Sequence, residues 1–266
     1  MTSTAEALER RIRSYGERAV VAFSGGVDSS LVLALAARAL APSAVTAVTA
    51  VSPSYPAGEL ELAAGVAAGL GVEHRTVRTH EVEREAYARN DEMRCYHCKA
   101  ELYATLGAIA SGAGDGVAVL AGANADDLDD WRPGLWAGER AGIRNPLLEE
   151  RVGKTQVRQI ARALGLGVAD KPALACLSSR VSVGIRITSE LLARVDAAEA
   201  IVRARGFEVV RVRHRGDLAT IEVDRENLER LRAHPELGRA LGEIERLGWR
   251  RVEVDPDGYR QGGVAV

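Results

Sequence analysis

The chain has 266 residues, 47% of them hydrophobic but only 4% aromatic, which suits a parallel sheet of Ala, Val, Leu and Ile covered by helices. Its formal net charge of -2 leaves no overall positive field for holding nucleic acid, so no nucleic-acid partner is expected. No apolar stretch resembles a signal peptide or reaches the roughly 20 residues of a membrane span, which predicts a cytoplasmic protein without membrane binding.

Short apolar runs alternate with helical patterns through the first two thirds of the chain. Strands are predicted at 19–23, 44–51, 72–77 and 117–121, and helices at 27–40, 58–70, 96–109 and 154–164. Strands that alternate with helices in this way form a parallel sheet. The predicted fold class is therefore α/β.

A second, smaller domain is predicted after an interruption at Lys171-Pro172, because the segment up to residue 187 lacks helical periodicity. The two domains are placed at 1–172 and 173–266. In the second, an α+β unit, Thr188 can cap a helix, and two strands flank Arg215-Gly216-Asp217 as a three-residue hairpin loop.

The strongest motif is Ser24-Gly25-Gly26-Val27-Asp28-Ser29-Ser30, which lies between the first strand and a helix. Glycines let backbone amides approach an anion, and the helix N-terminus adds N–H donors and a positive dipole end. The hydroxyls of Ser24, Ser29 and Ser30 add donors, and Asp28 is a candidate ligand for a magnesium ion. The motif predicts a pyrophosphate site, and the alternative is a glycine turn capped by its own side chains.

Other phosphate motifs are not matched. The loop lacks the Gly-Lys-Ser/Thr ending of a Walker A loop and the Gly-x-Gly-x-x-Gly dinucleotide fingerprint, which argues against γ-phosphate hydrolysis and hydride transfer. Gly153-Lys154-Thr155 resembles a Walker ending. However, Leu148 stands where the first glycine is required, so the tripeptide is interpreted as a helix start.

The chain has three cysteines, Cys95, Cys98 and Cys176, which is not a disulfide framework. The first two form a Cys-x-x-Cys pair at a predicted helix start. Four interpretations stay open: structural zinc, inert thiols, a nucleophilic thiolate, and an iron–sulfur cluster with one open iron. Cys176 is the preferred nucleophile because the nearby cation of Arg180 favours a thiolate.

Two further pairs are candidate binding residues. Asp126 and Asp127 follow a strand at the edge where α/β sheets bind ligands, so they either assist magnesium or cap the next turn. Arg211 and Arg213 alternate on one strand and share a face, where they could hold a substrate phosphate. The alternative for the arginines is a solvated edge strand.

The Ser-Gly-Gly-Val-Asp-Ser motif resembles the PP-loop of the ATP-pyrophosphatase superfamily, which includes GMP, NAD and asparagine synthetases and tRNA thiolation enzymes. The resemblance implies a parallel-sheet, adenine nucleotide α-hydrolase-like domain over 1–172. It also implies ATP and magnesium as cofactors, cleavage between the α and β phosphates, and an adenylylated intermediate.

Over nearly its whole length the chain is similar to the LarE-type ATP-dependent sulfur transferases of nickel-pincer cofactor biosynthesis. The matching stretches are 24–30, 94–99, 122–127, 132–134, 175–180, 211–214 and 216–217. This resemblance implies that a carboxylate of a pyridinium-dicarboxylate mononucleotide is adenylylated and converted to a thiocarboxylate. The sulfur would come from Cys176 itself or from sulfide on a four-iron four-sulfur cluster held by Cys95, Cys98 and Cys176. Because all three cysteines occupy those positions, the cluster route is favoured. Arg180 is a catalytic candidate because its cation would stabilise the thiolate of Cys176.

One stretch departs from the family pattern, since residues 181–184 read Val-Ser-Val-Gly where a Pro-Tyr-Gly sequence is more usual. Substrate contacts there are left open. The competing functions are a tRNA thiolase, an amidating synthetase and a non-enzymatic nucleotide-binding or zinc module. The balanced charge argues against an RNA surface, and amidation has no use for three cysteines. The expected partners are a small mononucleotide substrate and further copies of the chain, in a homo-oligomer.

Overall fold

The computed structural model describes residues 2–128, 131–172 and 175–259. The strands are β1 (Arg18–Ala22), β2 (Val45–Val51), β3 (Glu73–Arg78), β4 (Val117–Leu120), β5 (Val210–Arg215), β6 (Leu218–Val223) and β7 (Arg251–Val254). The helices are α1 (Thr2–Arg13), α2 (Val27–Leu40), α3 (Glu59–Gly69), α4 (Glu85–Ala88), α5 (Arg94–Gly112), α6 (Pro133–Arg140), α7 (Pro146–Glu149), α8 (Lys154–Ala163), α9 (Ser189–Arg203), α10 (Leu228–Arg232) and α11 (Leu237–Glu245).

The chain divides into two compact units. The first unit consists of Met1–Ser52, Ala57–Glu81 and Met93–Leu174. The second consists of Pro53–Pro56, Val82–Glu92 and Ala175–Val266. Two short segments from the early part of the chain therefore belong to the second unit. No change in composition marks these segments in the sequence. The division at 172/173 into functional domains stays a prediction, and residues 173, 174 and 260–266 of its second part lie outside the described ranges.

The first unit contains a parallel sheet in the order β3-β2-β1-β4, as the alternation of strands and helices predicts. Successive residues of β1 enter opposite layers: Ala19 and Val21 join one buried cluster with α1, α2 and α8, and Val20 joins another with α5. Helices thus cover both faces of the sheet. This α/β architecture confirms the predicted fold class.

The edge formed by the carboxyl ends of the strands positions the candidate site. Because β1 and β4 are neighbours and parallel, the loops that follow them emerge side by side. The contact is close at Gly122, where a Cβ would lie 2.8 Å from the backbone nitrogen of Ser29. Only a glycine lets the loop after β4 lie against the first turn of α2.

The second unit contains a sheet in the order β5-β6-β7, with β5 antiparallel to β6 and β7 parallel to it. The Thr188 hydroxyl accepts a hydrogen bond from the amide of Leu191, 3.2 Å away, so the predicted cap of α9 is confirmed. The hairpin loop is one residue shorter than predicted. Arg215 pairs with Leu218, which leaves a two-residue turn in which Gly216 has φ +71°.

None of the helices in the described ranges combines the length and the apolar character needed to cross a bilayer.

Candidate active site

The Ser24–Ser30 loop joins β1 to α2, as predicted. Gly25 has φ +72°, and a Cβ there would lie 3.0 Å from the Cβ of Ala63, so both conformation and space favour glycine. Gly26 is the N-cap of α2 and offers no side chain to the first helical amides. The first N–H groups of a helix lack intrahelical partners, so this end of a 14-residue helix is suited to an anion.

The hydroxyls of the loop fall into two groups. Ser24 and Ser29 bond to each other, with their Oγ atoms 3.1 Å apart, and Ser29 Oγ also donates to the carbonyl of Gly26 at 3.1 Å. These bonds shape the turn. Ser30 is fully buried, and its Oγ makes no hydrogen bond within the described residues. A buried hydroxyl in this position is costly unless a ligand uses it, which argues for a bound phosphate rather than a bare turn.

Asp28, the predicted magnesium ligand, lies in the first turn of α2. One carboxylate oxygen forms an ion pair with Nζ of Lys154, and the other accepts a hydrogen bond from Nδ2 of Asn124 at 3.2 Å. Lys154 begins α8, so the helix start predicted at Gly153-Lys154-Thr155 is confirmed. The sequence interpretation missed that this lysine reaches the phosphate loop.

Asp126 and Asp127 make hydrogen bonds that shape the loop after β4. Asp126 Oδ2 accepts from the amide of Lys154 at 2.9 Å, so it caps α8 rather than the next turn of its own loop. Asp127 Oδ2 accepts from the amide of Asn124 at 3.0 Å, and its Oδ1 pairs with Arg132 at 2.9 Å. Both carboxylates thus organise the edge beside Asp28, and direct help with magnesium stays a prediction.

A second lysine also lies at this loop. Lys171 Nζ is 2.6 Å from a carboxylate oxygen of Glu59 and 3.4 Å from the carbonyl oxygen of Gly25. Both side chains of the ion pair are about 15% exposed, so the positive charge is held at the phosphate loop with little water around it. Lys171 was used in the sequence interpretation only as a domain-boundary marker.

The three cysteines are thiols that form no disulfide, and they are divided between the two units. Cys95, which is exposed, and the half-buried Cys98 lie one turn apart in the first turns of α5, in the first unit. Half-buried Cys176 belongs to the second unit and directly precedes a short 3-10 helix, Leu177–Arg180. Among the described residues, no three His, Cys, Asp or Glu side chains form a group that could hold a metal ion. Three thiols are nevertheless a donor set that suits an iron–sulfur cluster.

Arg180 fixes the backbone around Cys176. Its guanidinium is fully buried and forms a bidentate pair with the equally buried Glu199, at 2.8 and 3.3 Å. It also donates to the carbonyl oxygens of Ala175 and Cys176, at 2.5 and 2.9 Å. These bonds go to backbone oxygens and a carboxylate, so the geometry supports a positioning role better than the predicted catalytic one.

Arg211 and Arg213 lie on β5 and are 4% and 6% exposed, so the alternative of a solvated strand is wrong. Arg213 Nε lies 3.1 Å from both carboxylate oxygens of Glu222, and its Nη1 donates to the carbonyl of Ser179 at 2.8 Å. The guanidinium of Arg211 lies over the ring of Tyr259, 5.1 Å from its centroid.

Burial shifts the pKa values of two charged side chains on β5 and β6. It lowers the pKa of Arg211, and the neighbouring positive charge of Arg180 adds to that shift. Burial raises the pKa of Glu222, although the charge of Arg213 opposes the shift. Three buried arginines thus face two buried glutamates beside the loop that carries Cys176, which leaves an excess of positive charge.

Comparison with known proteins identifies the family. Residues 3–128 match the asparagine synthase family model. An uncharacterized protein of Synechocystis is 43% identical over 257 residues, 96% of this chain and 95% of that protein. The pyridinium-3,5-bisthiocarboxylic acid mononucleotide synthase of Lactiplantibacillus plantarum is 36% identical over 246 residues, 92% of this chain and 88% of that protein. The chain belongs to the LarE family. An uncharacterized protein of Methanocaldococcus jannaschii is more distant, with 25% identity over 92% of this chain.

Membership in the LarE family confirms the resemblance drawn from the motifs, and it makes the chain an ATP-using sulfur transferase of PP-loop type. The structure brings Asp28, Asn124 and Lys154 of this LarE protein together at the edge of the first sheet. In the second unit, Arg180 and Arg213 donate hydrogen bonds to backbone carbonyls of the segment that begins at Cys176. The individual roles of these residues are proposals.

Proposed function

We propose that this LarE protein adenylylates a carboxylate of a pyridinium-dicarboxylate mononucleotide with ATP and then replaces the activated oxygen with sulfur. The phosphate loop at the N-terminus of α2, with the buried and unbonded Ser30 hydroxyl beside Asp28, is the observation that carries this proposal. The relative from Lactiplantibacillus plantarum, whose name specifies a bisthiocarboxylic acid mononucleotide product, supports the choice of substrate.

The first step is attack on ATP. A carboxylate oxygen of the substrate attacks the α-phosphorus, the bond to the bridging oxygen breaks, and pyrophosphate leaves. Amides of the Gly25–Asp28 turn and the hydroxyl of Ser30 hold the leaving pyrophosphate, while Asp28 would hold magnesium and the lysines add positive charge. When bound there, magnesium neutralises charge that accumulates on the phosphates. The carboxylate oxygens of Asp28 are of the ligand type that magnesium prefers, although in this structure they are engaged by Asn124 and Lys154.

The second step needs a sulfur nucleophile at the acyl-adenylate. In the cysteine route the thiolate of Cys176 attacks the acyl carbon and AMP leaves with the former carboxylate oxygen. A base then removes the α-proton of that cysteine, its Cβ–S bond breaks, and the thiocarboxylate departs from a dehydroalanine. The bonds from Arg180 to the carbonyls at 175 and 176 hold the nucleophile's backbone in place.

In the cluster route, which we favour, Cys95, Cys98 and Cys176 would hold a four-iron four-sulfur cluster that supplies an added sulfide when bound. The support is that none of the three cysteines is joined in a disulfide and that the chain has no others. Cys176 then serves as a ligand, and the protein keeps its sulfur through turnover. The step on ATP is the same in both routes.

The phosphate of the mononucleotide is assigned to the basic side chains of the second unit. Arg213 is engaged with Glu222 and with the backbone at Ser179, so we assign it to positioning. Arg211 is the candidate for the phosphate. Because the Tyr259 ring lies over its guanidinium, contact with a phosphate requires that ring to move.

The test is a single-turnover reaction with anaerobically purified protein, ATP, magnesium and the dicarboxylate mononucleotide. We expect equal amounts of AMP, pyrophosphate and thiocarboxylate, with protein-bound iron and acid-labile sulfide before the reaction and no loss of protein mass after it. Loss of one sulfur per chain would contradict the cluster route and leave the adenylylation standing. Tight binding of tRNA in a retardation assay, with no thiocarboxylate, would replace the proposal by a tRNA thiolase. An amide product formed with ammonia would replace it by an amidating synthetase.

A further inference from the structure

The pair between Lys154 and Asp28 has a consequence for ATP binding, because the carboxylate proposed to hold magnesium already holds an ammonium group. The two side chains are 26% and 23% exposed, so the pair lies in the wall of the site rather than in bulk solvent. Asn124 donates to the other oxygen of Asp28 at 3.2 Å. Both oxygens of this carboxylate are therefore engaged by donors.

The backbone of Lys154 is fixed by contacts that do not involve its charged group. Its amide donates to Asp126 Oδ2 at 2.9 Å, and the amide of Ala125 donates to the carbonyl of Val152 at 3.0 Å. At Gly153 an added Cβ would lie 2.5 Å from Asp126 Oδ1, so a side chain there would push the Asp126 carboxylate away from the start of α8. These contacts place the base of the Lys154 side chain beside the phosphate loop. The ammonium group at the end of the side chain can still change its position by rotation about the side-chain bonds.

We propose that Lys154 is a second phosphate ligand whose ammonium group exchanges with magnesium at Asp28. A divalent ion on that carboxylate repels the ammonium group, which then moves to the oxygens of the β and γ phosphates held at the start of α2. The exchange couples the binding of metal to the binding of nucleotide. Magnesium alone must displace the ammonium group of Lys154 when no phosphate is present to bind that group. This inference rests on the proposed function, since it takes the Ser24–Ser30 loop to be the pyrophosphate site.

The test uses Lys154→Met and two ligands measured separately on the full chain. Without nucleotide, Mn²⁺ binding followed by electron paramagnetic resonance should become about tenfold tighter in the variant, because its competitor at Asp28 is gone. Magnesium pyrophosphate binding followed by calorimetry should become about 10- to 100-fold weaker, because a charge-assisted phosphate contact is lost. A residue that merely shapes the site would not shift the two affinities in opposite directions.

Three controls keep the test decisive. Thr155→Ala changes the exposed neighbour on the same turn and should leave both affinities unchanged. Lys154→Arg should keep pyrophosphate affinity within about threefold, because it keeps the charge. Lys154→Gln, whose amide can still donate to Asp28, should reproduce the loss of pyrophosphate binding if the methionine variant does not fold.

The outcomes distinguish the exchange at Asp28 from the proposed function. Unchanged affinities in the neutral variants, or a loss of both Mn²⁺ and pyrophosphate binding, would overturn the exchange and leave the proposed function intact. Failure of the wild-type protein to bind pyrophosphate would instead overturn the proposed function.

Discussion

The close contact at Gly122 makes a quantitative prediction about the phosphate loop. In Gly122→Ala the new Cβ would lie 2.8 Å from the nitrogen of Ser29 and 3.0 Å from the carbonyl carbon of Asp28, both backbone atoms of α2. An ordinary contact begins near 3.4 Å, so the first turn of α2 or the end of β4 must move by about half an ångström. Overpacking of this kind costs about 1–3 kcal/mol of unfolding free energy.

The same displacement moves the amides that hold pyrophosphate. We expect Gly122→Ala to weaken magnesium pyrophosphate about tenfold or more by calorimetry, with a lower midpoint in urea. The matched control is Gly107→Ala inside α5, where an added Cβ meets nothing within 4 Å. That change should stabilise the protein by roughly 0.5–1 kcal/mol and leave pyrophosphate binding unchanged. Normal affinity and stability in Gly122→Ala would refute the argument from close approach.

Three further predictions concern the second unit. Cys176→Ala should abolish thiocarboxylate formation while pyrophosphate is still released, and full thiocarboxylate yield from that variant would disprove a role for the thiol. Glu199→Gln should lower the unfolding free energy by about 3–5 kcal/mol, because it leaves the fully buried Arg180 without its charge partner; a loss below 1 kcal/mol in urea titrations would be inconsistent with the bidentate pair. His214 accepts a hydrogen bond at Nδ1 from Trp249 Nε1, 2.8 Å away, and burial, helped by a nearby arginine, lowers its pKa below the ordinary 6.5. Its contribution to stability should therefore be present above about pH 6.5 and be lost as the pH falls through the lowered pKa, and His214→Gln should flatten that decline in thermal melts. An identical decline in the variant would exclude this histidine as the cause.

The parts of the fold that depend on local pattern could be predicted from the sequence. The α2 bounds, the strand that begins at Val117 and the Thr188 cap follow from periodicity and capping chemistry within a few residues. The phosphate loop is equally local, because glycines, hydroxyls and a helix start need only seven adjacent residues. Strand bounds differed by one residue, as at Arg215, because pairing across the hairpin decides them.

The contacts that define the site depend on residues far apart in the chain. Asp28 and Lys154 are separated by 126 positions, and no spacing rule connects them. Asp126 was expected to assist magnesium or cap its own loop, but its partner is the distant start of α8. Arg180 looked catalytic because it is near Cys176 in sequence. Its burial against Glu199 becomes evident only once α9 packs on β5.

The most direct test of the central claim follows the bond that breaks in ATP. With ATP labelled at the γ-phosphate, magnesium and the dicarboxylate mononucleotide, we expect all released label in pyrophosphate and an equal amount of AMP. Recovery of labelled inorganic phosphate together with ADP, measured before any pyrophosphatase is added, would contradict it.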